Sequence, residues 1–228
     1  MPKYHGPDPV VEITGVTEIA RDLVVVPNRH IDLVPNIGVI GGTHSVLIVE
    51  TGMGPRNAAK VLKFAADYAK GRHLSLTTTH FHPEHAFGAQ AFAGEATYLA
   101  NRAQADDLAA RGAGYLDMFR AMGEPVARQL EGVKLTTPDV VYDGSCDLDL
   151  GDRVVHFTAH WPGPYQGRPG GDGPRRRGDV HRRPGGDRPV LDLPLVPALR
   201  HRCVGGAMDC RDAAAHRREP PGCRARPR

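Results

Sequence analysis

TTTHFHPEHAFGAQAF, which covers Thr77–Phe92, places three histidines and a glutamate within six residues. This stretch directly follows LSL, a mostly apolar segment typical of a short β-strand. Imidazole nitrogens and carboxylate oxygens are the ligands that zinc and similar cations prefer. The alternative is a polar surface loop, but the HxHxEH spacing directly after a strand favours metal binding. The stretch therefore predicts a metal site with His80, His82, Glu84 and His85 as ligands.

The segments before this site predict alternating strands and helices. RDLVVVP and HSVLIVETG are apolar runs bounded by turn residues, as strands are. PRNAAKVLKFAADYAK, which begins at Pro55, repeats apolar residues at the spacing of an amphipathic helix, and proline suits its first turn. Strand, helix and strand in succession indicate a layered α/β fold.

The segments after the site continue this pattern. The alanine-rich stretch Ala96–Gly132 predicts mostly helix, with breaks near Gly112 and Gly123. Tyr115 and Phe119 in this stretch are candidates to line a cleft, although helix packing is the favoured interpretation. DVVYDGSCDLDLGDRVVHFTAH then predicts two or three strands that turn at its two Gly-Asp or Asp-Gly pairs.

Composition excludes some classes of function. The chain has 228 residues, a formal net charge of +3 and no apolar run of membrane-spanning length. MPKYHGPDPVVEITG at the start has no apolar segment of the kind found in secretory signals. We expect a cytoplasmic protein that acts on a small molecule and has no membrane partner. The sequence does not indicate an oligomeric state.

The last 65 residues differ from the rest. They contain 15 arginines, 20 prolines and glycines together, and no lysine, serine or threonine. A disordered basic tail or a nucleic-acid-binding arm would account for the arginines. Neither explains the missing serine and lysine, whereas translation of a GC-rich gene in the wrong frame does. We therefore divide the chain into a domain at 1–163 and a disordered, out-of-frame tail at 164–228, and expect no nucleic-acid partner.

THFHPEH resembles the HxHxDH signature of the metallo-β-lactamase superfamily, with Glu84 where aspartate is usual. GVIGGTHSVLIVETGMGPRNAAKVL resembles a second landmark of that family, and ETG again carries glutamate, Glu50, in place of aspartate. The resemblance implies the N-terminal part of an αββα sandwich. It also implies that His80 and His82 bind a first metal, and that His85 and the carboxylate bind a second.

The family's activity sets the functional expectation. The resemblance implies a hydrolase with one or two Zn²⁺ ions, or another divalent metal, whose bound hydroxide attacks an ester, thioester, lactam or similar bond. Glu84 is the candidate catalytic residue. The alternative is a catalytically inactive, truncated or frameshifted member that binds at most one metal weakly.

Later ligands of the family fall at the start of the unusual tail. DLDLGDRVVHF (Asp147–Phe157) resembles the strand pair that precedes the family's next histidine. A frame shifted at Gly163 permits GHTKGD, which resembles the missing motif. In the written frame His160 is the histidine nearest to the position of the missing ligand. Asp172, Asp179 and His181 are further candidate ligands, but the sequence around them does not resemble a ligand motif.

Overall fold

Residues 3–159, with the backbone of residues 180–181, 190–195 and 223–224, are described by a computed structural model of the chain. Seven strands form the first sheet in the order of the sequence. Their bounds are β1 Thr17–Ala20, β2 Leu23–Val26, β3 Ile37–Gly41, β4 Ser45–Val49, β5 His73–Thr77, β6 Ala96–Asn101 and β7 Val140–Tyr142. The predicted strands before and at the histidine cluster are thereby confirmed.

Helices connect the later strands of this sheet. They are α1 Gly54–Ala69, α2 Pro83–Ala86, a 3-10 turn at Ala89–Phe92, α3 Arg102–Arg120 and α4 Glu124–Gln129. Strands β1 to β4 pair antiparallel, whereas β4, β5, β6 and β7 run parallel. The carboxyl ends of the parallel strands consequently share one edge, which is where α/β sheets commonly bind ligands.

Strand β4 lies between two apolar layers. Its Val46 and Ile48 side chains pack in the cluster that contains Val61 and Ala65 of α1. Leu47, which points to the opposite face, packs with residues of a second sheet. All three strand residues are fully buried. A strand covered on both faces explains why the four residues VLIV of β4 are all apolar rather than alternating.

The second sheet covers the face of the first sheet opposite to α1. Its strands β8 Ser145–Asp149 and β9 Val154–Ala159 form an antiparallel pair. The glycines of the two predicted turns, Gly144 and Gly151, have φ values of 66° and 110°, which glycine adopts without strain. Buried Phe157 and Leu148 join the layer between the sheets. The α/β sandwich is confirmed, and the described residues supply its helix, sheet and sheet layers.

The prediction for Ala96–Gly132 was partly wrong. Ala96–Asn101 is strand β6, because ATYLAN pairs in parallel with β5 and β7 and buries Tyr98 and Leu99. Gly112 does not interrupt α3, which continues through it from Arg102 to Arg120. An added Cβ atom at Gly112 would lie 2.8 Å from a methyl group of Leu135. Glycine thus allows close packing at that position. Gly123, with φ of 141°, does separate α3 from α4.

Three short strands of the C-terminal segment have a described backbone. They are β10 Val180–His181, β11 Val190–Leu195 and β12 Cys223–Arg224. Strand β11 pairs in parallel with β9. The rest of 164–228 lies outside the described residues, so the disordered tail and the reading-frame hypothesis remain predictions. None of the helices in the described part of the chain combines the length and apolar character needed to cross a membrane.

Candidate metal centre

The histidine cluster occupies the loop that leaves the carboxyl end of β5. His82 is the residue before α2, with an extended backbone at φ −61° and ψ 152°. This conformation follows from Pro83, because the residue before a proline avoids the helical region. Proline also suits the first helical position. The sequence HPEH therefore places His82 at the start of a helical turn and Glu84 and His85 inside it.

The side chains of His80, His82 and Glu84 converge. One ligand atom from each lies within 4.8 Å of the others. In a tetrahedral zinc site with bonds of about 2.1 Å the ligand atoms are about 3.4 Å apart. The three atoms thus need to move closer to one another by at most about 1.4 Å to bind one ion. His85 lies beside them, with its Nε2 3.8 Å from Oε1 of Glu84 and its ring 4.0 Å from that of His80.

Glu84 carries a polar atom that a cation would satisfy. Its Oε2 is buried and has no hydrogen-bond partner among the described residues. Burial raises the pKa of the Glu84 carboxyl, against the lowering effect of His85. An unpartnered buried carboxylate oxygen is costly, and bound metal ions are one of the ways proteins relieve that cost. The donor set of imidazoles and carboxylate also matches zinc. The residues present therefore fit a metal ion.

The protonation states of His80 and His82 suit metal binding as well. Burial, with the charge of His85, lowers the pKa of His80 to about 3 and that of His82 to about 4. Both imidazoles are consequently neutral at pH 7, which is the form that binds metals. Burial lowers the pKa of His85, but the carboxylates of Glu50 and Glu84 outweigh it and the net shift is upward.

The lowered values predict a loss of stability in acid for the metal-free protein. Unfolded imidazoles take up protons near pH 6.5, whereas folded His80 and His82 do so only near pH 3–4. The unfolded state therefore binds more protons between these values, and stability falls as the pH falls from about 6.5 to about 4. Urea midpoints at pH 7 and pH 5 in the presence of chelator measure this. His80→Gln is expected to lose less than the wild type, and an equal loss would contradict the assignment.

Glu50 holds the ligand loop from the end of β4. Its side chain is 5% exposed, and its two carboxylate oxygens accept the backbone N–H of Thr79 at 3.2 and 3.4 Å. Oε2 also lies 3.2 Å from Nδ1 of His85, an ion-pair contact that is not aligned as a hydrogen bond. Glu50 has a φ of 77°, a strained value for a residue with a side chain. Strand β4 thus presents a buried carboxylate behind the histidines.

Glu50→Ala is expected to lower the free energy of unfolding by about 2 kcal/mol, because hydrogen bonds to buried charged groups contribute about that much. Urea unfolding at neutral pH measures the change. Glu131→Ala is the matched control, since that glutamate is 67% exposed and pairs with Arg56 on the surface. The control should cost under about 1 kcal/mol. Equal losses in the two variants would show that Glu50 has no special role.

The structure brings the four predicted ligands together at the end of β5. Glu84 forms a group with His80 and His82, and its Oε1 is also 3.8 Å from Nε2 of His85. Tyr115 reaches the cluster, because its ring stacks on that of His82 at 5.0 Å. The other candidate, Phe119, is buried in helix packing as favoured.

One contact at the site had no sequence signal. The Thr79 hydroxyl lies 3.0 Å from Nδ1 of His80. A threonine next to a histidine is common in protein sequences, so this pair does not indicate that the threonine holds the ring of a metal-binding histidine. The candidates proposed for later ligands lie outside the residues whose side chains are described; they are His160, Asp172, Asp179 and His181.

Several solved structures resemble this fold at low sequence identity. The native FEZ-1 metallo-beta-lactamase from Legionella gormanii is 17% identical, with a TM-score of 0.46 over 66% of this chain and 53% of that one. A HARLDQ-motif metallo-beta-lactamase from Cronobacter sakazakii is 14% identical, with a TM-score of 0.43 over 68% and 66%. The inverting sec-alkylsulfatase Pisa1 from Pseudomonas sp. is 16% identical, with a TM-score of 0.43 over 59% and 25%. The chain spans a quarter to two thirds of these proteins.

The sequence comparison identifies the family. No curated protein matches the chain. The profile of the metallo-beta-lactamase superfamily matches residues 30–194, which include β3 through β9 with the histidine cluster and continue past Gly163. Because the match covers most of the chain and includes the HxHxEH loop, this protein belongs to the metallo-beta-lactamase superfamily.

Proposed function

We propose that this chain is a zinc-dependent hydrolase of a small-molecule substrate that carries an ester, thioester, lactam or similar bond. The observation that supports it is the convergence of His80, His82 and Glu84 at the carboxyl edge of a sheet, in a member of this superfamily. His85 completes a set that suits one or two Zn²⁺ ions or another divalent metal. We further propose a cytoplasmic location without nucleic-acid or membrane partners.

The protein's contribution to metal binding and catalysis would begin with two neutral imidazoles, those of His80 and His82. His80 and His82 offer lone pairs at neutral pH, since burial keeps protons off them. Thr79 holds the ring of His80 through its hydroxyl, and Glu50 lies against the ring of His85. When bound here, Zn²⁺ supplies a Lewis acid that acidifies water and polarises a substrate carbonyl.

Glu84 would hold or move a proton. Its Oε1 lies 3.9 Å from Nδ1 of His82 and 3.8 Å from Nε2 of His85, whereas Oε2 is free of partners among the described residues. Burial raises the pKa of this carboxyl toward the working range of a general base. Because Oε2 is the oxygen that a bound ion would take up, we assign Oε1 of Glu84 as the atom that accepts a proton from the attacking water.

A panel of chromogenic esters, a thioester and a lactam, assayed with and without chelator, tests the proposal. We expect hydrolysis of at least one bond class, its loss on removal of zinc, and its recovery when zinc is returned. Glu84→Gln should bind zinc more weakly, and at saturating zinc it should still lose activity by about 10²-fold or more, as expected for a general base. Hydrolysis that persists in chelator would contradict the proposal.

The second candidate is an inactive member of the family that binds one metal weakly. Among the described residues a single group of potential metal ligands occurs, which supports the binding of one ion rather than two. Zinc titration of the full chain separates the two proposals when it is combined with the assay. Weak binding of a single ion without turnover of any panel substrate would favour the second.

A further inference from the structure

His82 is surrounded by rings. Tyr115 stacks on one face of the imidazole, with centroids 5.0 Å apart and planes at 26°. Phe81 and His80 meet it edge-on, at 5.4 and 4.5 Å. Tyr115 comes from α3, 33 residues further along the chain than His82. The orientation of this predicted ligand therefore depends on a separate element of the fold.

The other two histidines of the cluster are supported differently. The hydroxyl of Thr79 lies 3.0 Å from Nδ1 of His80, and the Glu50 carboxylate lies 3.2 Å from Nδ1 of His85. Metal-binding histidines normally have such a polar partner on the nitrogen that does not face the metal. Within residues 3–159 neither ring nitrogen of His82 has a hydrogen-bond partner, and the carboxylate of Glu84 is 3.9 Å away.

Tyr115 is itself held in place. Its ring meets buried Phe81 edge-on at 4.9 Å, and the guanidinium of Arg111, one helical turn earlier, lies 5.0 Å over the same Phe81 ring. Arg111 is in turn paired with Asp107 on α3. The turn of α3 from Arg111 to Tyr115 thus packs on Phe81, the residue between the first two histidines.

We propose that Tyr115 is the positioning residue for His82, and that its stacked ring fixes the imidazole plane in place of the missing polar partner. The inference rests on the proposed metal centre. Stacked aromatic rings restrict rotation about the bonds of a side chain and exclude water from one face. Without the stack, His82 can turn about χ1 and χ2 away from His80 and Glu84. Binding a metal would then require the ring to be ordered first.

Three variants of the full 228-residue chain separate this role from helix packing. Tyr115→Leu removes the ring but keeps an apolar side chain, whereas Tyr115→Phe keeps the ring. Phe119→Leu is the control, because Phe119 is buried on the same helix and contacts Tyr115 but has no ring contact with His82. It reports the effect of weakened α3 packing alone.

The first measurement uses the metal-free protein and needs no metal chemistry. A ring stacked on an imidazole shifts the His82 ring protons upfield in the NMR spectrum, and those signals are assigned by their loss in His82→Asn. We expect the shift in the wild type, Tyr115→Phe and Phe119→Leu, and its loss in Tyr115→Leu. An unchanged shift in Tyr115→Leu would overturn the inference.

The second measurement is the affinity for Co²⁺, followed by its visible absorption. Supporting residues around metal ligands typically change affinity by about 10–100-fold, so Tyr115→Leu should bind Co²⁺ about 10-fold more weakly than the wild type. Tyr115→Phe should match the wild type. Equal affinity in Tyr115→Leu and the wild type, or an equal loss in Phe119→Leu, would overturn the inference. A wild type that binds no Co²⁺ but shows the upfield shift would instead refute the proposed metal centre.

Discussion

Replacing His80 by alanine is expected to lower the affinity for zinc by about 100-fold. The binding free energy of a tight zinc site is about 10–16 kcal/mol, so each of four ligands contributes ~3 kcal/mol, which corresponds to about that loss of affinity. His80 is central to the cluster. Its ring lies 4.5 Å from that of His82 and 4.0 Å from that of His85, and it belongs to the converging group with Glu84. Its lowered pKa of about 3 means that no proton has to be displaced at neutral pH. Competition with a fluorescent zinc chelator measures the affinity.

His73→Ala is the matched control for this prediction. His73 begins the same strand, β5, but it is exposed and bonds to the hydroxyl of Thr97. Its removal should leave zinc affinity at the wild-type value and the fold intact. Comparable losses for His73→Ala and His80→Ala would show that zinc binds elsewhere or nonspecifically.

Gly54→Ala is expected to lower the free energy of unfolding by roughly 3–4 kcal/mol, which places it among severe single substitutions. Gly54 begins α1 with a φ of 71°. An added Cβ atom would lie 1.9 Å from the carbonyl oxygen of Gln129, at the end of α4. The substitution therefore combines backbone strain with a steric overlap against rigid main chain. It would also displace the segment that joins Glu50 to α1, so zinc affinity should fall with stability.

Gly71→Ala separates the two causes. Gly71 has a φ of 85°, but an added Cβ would have no atom within 4 Å. Gly71→Ala should lower the free energy of unfolding by about 1–2 kcal/mol, which is the effect of a left-handed backbone conformation alone. Chemical unfolding of both variants at neutral pH measures the difference. Equal costs would mean that the contact between α1 and α4 relaxes freely.

The local chemistry of this protein could be predicted from its sequence. The spacing of the candidate ligands is contained in HFHPEH, and Pro83 fixes the backbone around it, so the four candidate ligands could be named without knowledge of the fold. The amphipathic pattern of α1 and the turns of the second sheet were equally local signals. The strand Ala96–Asn101 was missed because ATYLAN stands at the start of a long alanine-rich stretch that was interpreted as helix throughout. Only its position between β5 and β7 makes it a strand.

The supports of the site were decided by tertiary structure alone. Glu50 reaches Thr79 and His85 because β4 and β5 pair in parallel, which brings residues 29 and 35 positions apart to one sheet edge. Tyr115 reaches His82 because α3 packs across the loop. Ligand spacing is a short-range property that the sequence determines, since a few adjacent dihedral angles set it. The rings and carboxylates that hold these ligands depend on how distant elements pack.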